Sequence, residues 1–367
     1  MDHPLNLHWF LPTTGDGHDV RTAITTTDTH RPAARTADLR YLVQVARAAE
    51  ATGFQAALTP VGAGCPDPWI VCAALAQHTD RLRPLVAFRP GFTLPTLLAQ
   101  QAQAFQQISG DRLLLNVVTG GDPAEQRAYG DFLDHDARYA RTGEFLHVLR
   151  RAFTGTPFDH HGDHYRIERG GLATPLTTPP PIYFGGASPA AEQVAARHAD
   201  VALMWGEPPA AIAERITRLR ALAAAHGRTL RFGIRLHVIT RDTTAAAWAE
   251  TERLLQGMDP ARIAAAQARF ARFDSVGQRR MVDLHHGTTA DLEISPGLWA
   301  GAGLVREGAG TALVGSHAEV AELIRGYAAL GVQEFILSGW PHLEEAYRVG
   351  ENVLPRLAPA TTQNHPA

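Results

Sequence analysis

The stretch Arg231-Phe-Gly-Ile-Arg-Leu-His-Val-Ile-Thr240 has the pattern of a buried β-strand, with polar residues on both sides of it. Side chains alternate between the two faces of a strand, so Gly233, Arg235 and His237 share one face. A guanidinium on a core face requires an anionic partner, because burying an unpaired charge is costly. Two alternatives follow for Arg235. It pairs with a buried carboxylate of the protein, or it lies at the mouth of a barrel and binds an anionic ligand.

Strand and helix patterns alternate along almost the whole chain. Strands are predicted at about Leu5–Leu11, Phe54–Thr59, Leu82–Phe88, Arg112–Thr119, Ile182–Gly186, Val201–Trp205, Arg231–Thr240 and Glu334–Ser338. Helices are predicted at about Thr36–Thr52, Pro68–His78, Pro95–Ile108, Asp136–Phe153, Pro189–His198, Pro208–His226, Thr244–Gln256, His317–Leu330 and His342–Val353. Eight strands, each followed by a helix, predict an α/β fold, a closed (β/α)8 TIM barrel. A doubly wound open sheet is the alternative.

Two segments interrupt this alternation. Between strands four and five, residues 154–181 contain the predicted hairpin FDHHGDHYRIE and a proline-rich linker. Between strands seven and eight, residues of about 258–310 hold helical pieces and then a glycine-rich run that contains Arg306. We predict a single barrel domain over residues 1–367, with its largest insertion between strands seven and eight.

Composition excludes several classes of protein. The chain has 367 residues, of which 45% are hydrophobic and 19% charged, and its formal net charge of -3 gives no basis for nucleic-acid binding. No apolar run approaches the roughly 20 residues that cross a bilayer, and the first residues lack the pattern of a secretion signal. Cys65 and Cys72 are too few for a disulfide framework, so we predict a cytoplasmic protein with reduced thiols.

In a barrel of this kind the active site forms where strands end and the following loops begin. Polar, aromatic and cationic residues follow the predicted strands, with few carboxylates; they are Thr14, His18, Cys65, Arg89, Asn116, Thr119, Gly185, Gly186, Ser188, Trp205, Arg235, His237, Trp340 and His342. No His, Cys, Asp and Glu cluster has zinc-like spacing, so no metal is expected. Ser188 does not lie in a Gly-x-Ser-x-Gly elbow, so it is not a predicted nucleophile.

Two groups of these residues suit anions. The turn Gly185–Ser188 opens a helix, where backbone N–H groups and a hydroxyl can hold a phosphate, although most Gly-Gly pairs are only tight turns. Arg235, His237 and Arg306 suit a second, separate anion. The residues therefore predict a phosphorylated cofactor beside an anionic substrate, and they leave the cofactor's identity open.

Long motifs also carry a family resemblance. WFLPTTGDGH, NVVTGGDP, FLDHDARY, YFGGAS, WGEPP, RFGIRLHVI, DSVGQRRM, DLEISPGLWAGAGLVREGAGTALVG and SGWPHLEEAYRVGE together resemble the alkanesulfonate monooxygenases of the bacterial-luciferase-like flavin superfamily, from about Leu7 to Pro355. The resemblance implies a two-component enzyme in which a separate NAD(P)H:FMN reductase supplies reduced FMN (FMNH2). With O2 as co-substrate, such an enzyme converts a small anionic sulfonate into an aldehyde and sulfite for sulfur supply. It also implies a homo-oligomer, a dimer or a tetramer.

The resemblance assigns roles to particular residues. It implies catalytic roles for Arg235, His237, Arg306, Cys65, Trp205 and Trp340, with Arg306 on a flexible lid. Together with the strand-end positions, it implies that the flavin is held by Asn116, Thr119, His135, Tyr139, Gly185, Gly186 and Ser188, with Ser188 at the phosphate. His237 has an ordinary pKa near neutral, so it could exchange the proton that the substrate carbon must lose. On the residues alone, Cys65 is more often an inert packing residue, and Trp205 is as often a plain pocket wall.

Three departures from the family pattern leave the substrate open. Thr14 stands where the family has His, Trp340 stands where it has Tyr, and the loop Asp19–Arg35 differs. Trp has no phenolic proton to donate and is larger than Tyr. The alternatives are the same chemistry on methanesulfonate, a sulfone or another small organosulfur compound, a deazaflavin-dependent dehydrogenase, or a flavin-binding protein without turnover.

Overall fold

The structure is a computed structural model, and it describes residues 5–20 and 34–358. Most of the divergent loop Asp19–Arg35 lies outside the described residues, as does the C-terminal tail after residue 358. None of the helices in the described ranges is both long enough and apolar enough to span a membrane.

The described strands, in chain order, are β1 (Asn6–Phe10), β2 (Ala56–Thr59), β3 (Arg83–Phe88), β4 (Leu114–Val117), β5 (Phe158–His161), β6 (Arg166–Gly170), β7 (Ile182–Gly185), β8 (Val201–Trp205), β9 (Arg231–Arg241), β10 (Glu293–Ser295), β11 (Leu298–Trp299), β12 (Ala312–Ser316) and β13 (Glu334–Ser338). The helices are α1 (Leu39–Ala51), α2 (Pro68–Leu75), α3 (Pro95–Ser109), α4 (Pro123–Ala128), α5 (His135–Phe153), α6 (Pro189–His198), α7 (Pro209–Ala224), α8 (Thr244–Gln256), α9 (Pro260–Phe270), α10 (Val276–Asp283), α11 (His317–Ala329), α12 (His342–Asn352) and α13 (Leu354–Leu357).

Eight parallel strands close into a barrel, which confirms the predicted TIM-barrel fold. Their order around the ring is β1, β2, β3, β4, β7, β8, β9 and β13, and β13 pairs back onto β1. These are the eight strands that the alternation predicts. An open doubly wound sheet would leave two edge strands, so the β13–β1 and β8–β9 pairings exclude it.

Strand β9 is the longest strand and has two sets of neighbours. Its first half pairs with β8, from Arg231 to Arg235, and its middle pairs with β13. Its last residues, from His237 to Arg241, pair in parallel with β12. Its residues from Phe232 to Thr240 are all buried, because the barrel interior lies on one face and packed elements on the other. Strand β9 therefore extends from the barrel core to beyond the mouth of the barrel.

The segment between β9 and β13 is partly as predicted. Its helical pieces are present as α9 and α10, but β10, β11 and β12 were not predicted. The antiparallel strands β10 and β11 continue from β12 as an extension of the barrel sheet. A second apolar cluster, separate from the main core, includes Ile239, Trp299, Leu304 and Trp340. The assignment of one domain to residues 1–367 stays a prediction.

Short local signals start the helices that surround the barrel. Side chains of Asp38, Asp67, Asp134 and Thr243 accept a hydrogen bond from the first turns of α1, α2, α5 and α8. The predicted hairpin is confirmed as the antiparallel pair β5–β6. Helix α4, which begins at Pro123 after the Asp122 cap, was not predicted because it is only six residues long.

At the N-terminal end of the barrel, a polar network closes the interior around Glu334, which has no exposed surface. Its carboxylate contacts His8 Nε2 at 2.8 Å, accepts from Tyr183 Oη at 3.0 Å, and accepts from Asn6 Nδ2 at 3.1 Å. Arg231 completes the network with an ion pair. Burial alone would raise the pKa of Glu334, but the hydrogen bond and charge of His8 and the charge of Arg231 hold it below its ordinary value.

Replacing Glu334 by Gln should lower the free energy of unfolding by about 3 kcal/mol at neutral pH, because Arg231 and His8 lose their buried counter-charge. A carboxylate whose pKa is lower in the folded state stabilises the fold above its ordinary pKa of 4.5, and this contribution is lost as the pH falls through the lower value. Urea unfolding should therefore show a gap between the two proteins at pH 7 that narrows in strong acid. Glu322→Gln, in an exposed pair with Arg325, is the matched control and should change little. Equal stability of Glu334→Gln and the wild type would contradict the assigned role.

Candidate active site

A cleft at the C-terminal end of the barrel strands consists of two adjoining lobes. The first, which we call the serine lobe because Ser188 lines it, has a volume of about 190 Å³. The second, which we call the arginine lobe because Arg306 lines it, has a volume of about 220 Å³. Asn116, Trp205 and Arg235 line both lobes, so a ligand in one lobe can contact a ligand in the other.

The serine lobe gathers all the residues that the sequence analysis assigned to a cofactor. They are Asn116, Thr119, His135, Tyr139, Gly185, Gly186 and Ser188. These residues come from the ends of β4 and β7, the start of α6 and the first two turns of α5. The structure thus brings them together, and their binding of a cofactor stays a prediction.

The turn from β7 into α6 is shaped for an anion. Gly186 has φ +157°, and a Cβ there would lie 2.5 Å from the Ala191 Cβ, so no larger residue fits. Ser188 caps α6, with its hydroxyl accepting from the Ala191 N–H at 3.2 Å. The remaining N–H groups of the first turn have no partner within the helix and lie at its positive end. Such a helix start can bind an anion, and a phosphate site at this turn stays a prediction.

Two further residues of the serine lobe were missed by sequence reasoning. Arg215, on α7, lines this lobe, donates to the Gly186 carbonyl oxygen and contacts Glu192 Oε1 at 3.3 Å. Burial lowers the pKa of Arg215, and the charge of Glu192 opposes this effect. Ser275, which caps α10, lines the same lobe. Arg215 has no local sequence signal, because it reaches the lobe only through tertiary packing, whereas Ser275 lies in the quoted motif DSVGQRRM.

Asn116 presents a buried polar atom without a partner. It ends β4, its side chain is 6% exposed, and its Oδ1 has no hydrogen-bond partner. A buried polar group without a partner is destabilising, so such an atom in a binding cleft indicates a ligand that completes it. Its position in both lobes places this atom where ligands of the two lobes would meet.

Two buried guanidiniums dominate the arginine lobe. Arg235 donates to the Leu236 carbonyl oxygen at 2.6 Å and to Ser338 Oγ at 2.8 Å. Nε and Nη1 of Arg306 are buried without a partner. Both guanidiniums lie over the ring of Phe10, at 4.6 Å and 5.7 Å from its centroid. The described ranges contain no ion pair with either arginine, so within them Arg235 has no carboxylate partner.

Both arginines of this lobe have lowered pKa values. Burial and the neighbouring charge of Arg306 lower the pKa of Arg235 well below its ordinary value. Burial also lowers the pKa of Arg306 to about 10, although Glu307 opposes the shift. Both shifts reflect positive charge held away from water. An anionic ligand bound here would favour the charged form of both guanidiniums.

His237 lies behind Arg235 and lines neither lobe. Its Nε2–H donates to the Ala309 carbonyl oxygen at 2.9 Å, so its Nδ1 accepts from Ser338 Oγ at 2.7 Å. Burial and the charges of Arg235 and Arg306 lower the pKa of His237 well below 6.5. The expectation of a near-neutral pKa is therefore wrong for this environment. His237 is a neutral ring that links Ser338 to the segment carrying Arg306.

Trp340 and Cys65 also lie outside the lining of both lobes. Trp340 stacks on His237 with ring centroids 4.4 Å apart, and its buried Nε1 has no partner. Burial raises the pKa of the Cys65 thiol to about 11, so the thiol is protonated at neutral pH. This environment is typical of an unreactive thiol. Trp205, by contrast, lines both lobes at the end of β8.

The sequence model of the luciferase-like monooxygenases matches residues 5–334. The chain belongs to this family. Its fold is similar to that of riboflavin lyase (RcaE), solved with modified FMN and riboflavin, at 20% identity over 96% of this chain and 91% of that one, with a TM-score of 0.77. EDTA monooxygenase (EmoA) from Chelativorans sp. BNC1 gives 21% identity, 96% and 93% coverage and a TM-score of 0.76. An F420-dependent secondary alcohol dehydrogenase, solved with an F420-acetone adduct, gives 16% identity, 97% and 100% coverage and a TM-score of 0.68.

This luciferase-like monooxygenase has a second buried histidine near the cleft. His342 Nδ1 contacts Asp16 Oδ1 at 2.9 Å, and the backbone N–H of His342 donates to Asp16 Oδ2 at 2.8 Å. Burial would raise the pKa of Asp16, but His342 and the Tyr41 hydroxyl lower it overall. The pair fixes the loop after β1 to the start of α12, and Thr14 lies half-buried in that loop. Asp16 was missed as a site residue, although the GDGH motif contains it.

Metal chemistry has no visible basis in the described ranges. Within them, no group of three or more His, Cys, Asp or Glu side chains could hold a metal ion. The candidate site consists of the two lobes, with Arg235 and Arg306 in the arginine lobe and the start of α6 in the serine lobe.

Proposed function

We propose that this luciferase-like monooxygenase is a two-component enzyme that uses reduced FMN and O2 to desulfonate alkanesulfonates. The observation that carries the proposal is the pair of adjoining lobes, one with a helix start suited to an anion and one with two arginines that form no ion pair in the described ranges. In the balanced reaction, an alkanesulfonate, O2 and reduced FMN give an aldehyde, hydrogen sulfite, oxidised FMN and water. The carbon–sulfur bond breaks, and one oxygen atom enters the aldehyde.

The residues of the serine lobe fit FMN. Ser188 and the first turn of α6 would hold the phosphate, and Arg215 adds positive charge beside Gly186. The unpartnered Oδ1 of Asn116 would accept from an N–H of the ring system. Tyr139 and Trp205 supply aromatic walls. Bound reduced FMN would supply the two electrons that reduce O2. The structural neighbour solved with modified FMN supports this choice of cofactor.

The arginine lobe fits the substrate. Arg235 and Arg306 would bind the sulfonate oxygens by charge-assisted hydrogen bonds, which are about twice as strong as neutral ones. Phe10, Val61 and Phe273 line the same lobe and would contact an alkyl chain. The segment carrying Arg306 would also keep water out of the reacting centre. A structural neighbour is named for EDTA, which is likewise an anionic compound.

The proposal includes partners that the family resemblance implies. A separate NAD(P)H:FMN reductase would deliver the reduced flavin, and the enzyme would act in the cytoplasm as a homodimer or homotetramer. Methanesulfonate, a sulfone or another small organosulfur compound remains an alternative substrate. The fold likeness to an F420-dependent dehydrogenase keeps a deazaflavin-dependent reaction as the second candidate. The two uncompensated arginines favour the sulfonate.

The test of the function is sulfite release with a generic FMN reductase, NADH, FMN and O2, across alkanesulfonates from methanesulfonate to decanesulfonate. We expect sulfite and the matching aldehyde from at least one member, and none when the protein is left out or when O2 is removed. Catalase controls for free peroxide. No sulfite despite tight binding of reduced FMN would contradict alkanesulfonates as substrates, and dimethyl sulfone and reduced F420 with a secondary alcohol would then be assayed. No flavin binding would overturn the whole proposal.

Replacing Arg306 by Ala should abolish sulfite release and leave the dissociation constant of FMN near the wild-type value. The reason is that Arg306 lines the arginine lobe and does not line the serine lobe. Flavin fluorescence titration and the sulfite assay measure the two effects. Arg279→Ala, on the exposed side of α10, is the matched control and should retain activity. Turnover at the wild-type rate in the Arg306 variant would remove Arg306 from the proposed site.

Replacing Ser188 by Ala should weaken FMN binding about tenfold and riboflavin binding much less, because only FMN has a phosphate for the hydroxyl to contact. Ser316→Ala is the matched control. Ser316 also caps a helix, α11, and does not line either lobe, so its loss should cost stability without changing flavin affinity. Equal losses for FMN and riboflavin in the Ser188 variant would show that the phosphate does not lie there.

A further inference from the structure

Gln278, on α10, has a buried side-chain amide, and only one of its two polar atoms has a hydrogen-bond partner. Its side chain is 2% exposed and lines the arginine lobe. Its Oε1 accepts from the Gly308 N–H at 2.9 Å, while its Nε2 is buried without a partner. The contact with Gly308 fixes the orientation of the amide, because a backbone N–H requires an acceptor. The free group beside the lobe is therefore a hydrogen-bond donor.

Other unpartnered groups of the arginine lobe are donors as well. Nε and Nη1 of Arg306 lack partners, and so do Nε and Nη1 of Arg89, whose Nη2 contacts Glu125 at 2.5 Å. The unpartnered acceptor in the lining is Oδ1 of Asn116, which the serine lobe shares. Asp122, Glu125 and Glu307 also line this lobe, but its buried polar atoms without a partner are mostly donors. Such donors are complementary to a ligand head that carries several oxygen atoms.

Gln278 is held rigidly against the barrel. Asp274, just before α10, contacts Arg138 of α5 at 2.5 Å, and its N–H donates to the Gly121 carbonyl oxygen at 3.1 Å. Arg280 donates through Nε to Glu207 at 3.0 Å. These contacts fix α10 on both sides of Gln278. A donor fixed in this way can discriminate between ligand heads, because it cannot move to suit a poorer one.

We propose that Gln278 is a substrate-binding residue whose Nε2 donates to one oxygen of the sulfonate head, while Arg235 and Arg306 bind the others. Through Oε1 the same side chain holds the Arg306 segment at Gly308. The inference rests on the proposed function, since it requires an anionic substrate in the arginine lobe. It also assigns a preference. A sulfonate has three oxygens for three donor side chains, whereas a carboxylate or a sulfinate has two.

Three variants test this assignment by calorimetric titration of the best sulfonate and the matching carboxylate in the presence of oxidised FMN. Gln278→Glu keeps an acceptor for the Gly308 N–H but removes the donor, and should weaken sulfonate binding at least tenfold. Gln278→Met removes both contacts and should weaken the sulfonate about tenfold and the carboxylate less. Gln267→Met is the matched control. Gln267 holds the same segment by donating to the Leu304 carbonyl oxygen at 2.8 Å and lines neither lobe, so its loss should leave sulfonate affinity unchanged.

The outcomes separate a substrate contact from a loop anchor. Wild-type sulfonate affinity in Gln278→Glu would overturn the inference, and so would equal losses in Gln278→Met and Gln267→Met. FMN affinity should stay constant in all three variants, and Arg279→Glu, which changes charge on the exposed side of α10, should bind sulfonate normally. If the wild type bound FMN but no sulfonate, the proposed substrate itself would fail and the inference with it. A defect confined to the Gln278 variants distinguishes the inference from that failure.

Discussion

Two buried guanidiniums that form no ion pair in the described ranges are the constraint on which the rest of the site depends. Arg235 and Arg306 lie in a barrel mouth where water is scarce, and an isolated buried charge is among the most costly groups in a protein. Backbone carbonyl oxygens and Ser338 Oγ offset part of the cost for Arg235. The ring of Phe10 contributes to both, since a desolvated cation over an aromatic face is stabilised by about 2 kcal/mol. The part of this cost that is not offset lowers the stability of the fold, and binding of an anion would offset it.

The extension of β9 beyond the barrel explains how these arginines are held. The strand carries Arg235 inside the barrel mouth and His237 where its pairing changes from β13 to β12. His237 joins Ser338, on β13, to Ala309, just before β12. A neutral ring satisfied at both nitrogens is a stable connector, and a protonated ring would add a third cation to the same region. Burial lowers the pKa of His237, and the charges of Arg235 and Arg306 lower it further, so the neutral ring is compatible with the arginine pair.

The glycine-rich run around Arg306 is tightly packed, although its composition suggests flexibility. Glycine-rich sequence suggests a flexible lid, but Gly303 donates to the Gly310 carbonyl oxygen at 3.0 Å, so the two ends of the loop touch. A Cβ at Gly310 would lie 2.6 Å from the Gly303 Cα, which only glycine avoids. The close approach of these backbones forms a tight loop that presents Arg306 between them. Any opening of this segment must therefore separate a packed glycine pair.

The sequence predicts the barrel well because each of its strands is apolar and bounded by Gly, Pro or polar residues. It also places the residues of the serine lobe, since in a parallel barrel all strand ends meet at one mouth. Strands β10 to β12 escape prediction because they are short and β12 follows directly on a glycine-rich run. Arg215 escapes because it lies on a helix that only the path of the chain brings to the cleft. Gln278 lies in the quoted motif DSVGQRRM, but the motif does not show that its side chain reaches the cleft. The pKa of His237 escapes because it depends on Ser338 and Ala309, which are far away in sequence.

Trp340 stands where the family has Tyr, and its contacts with the region of His237 show what this difference affects. Trp340 belongs to the same apolar cluster as Ile239, Trp299 and Leu304, and it stacks on the ring of His237. Because it lines neither lobe, its size does not shape the space for a substrate directly. Trp340 acts on the site indirectly. It stacks on His237, His237 is hydrogen-bonded to Ser338, and Ser338 is hydrogen-bonded to Arg235. The ring of Trp340 therefore bears on how firmly Arg235 is fixed, whereas the apolar wall of the arginine lobe is formed by other residues, among them Phe10, Val61 and Phe273.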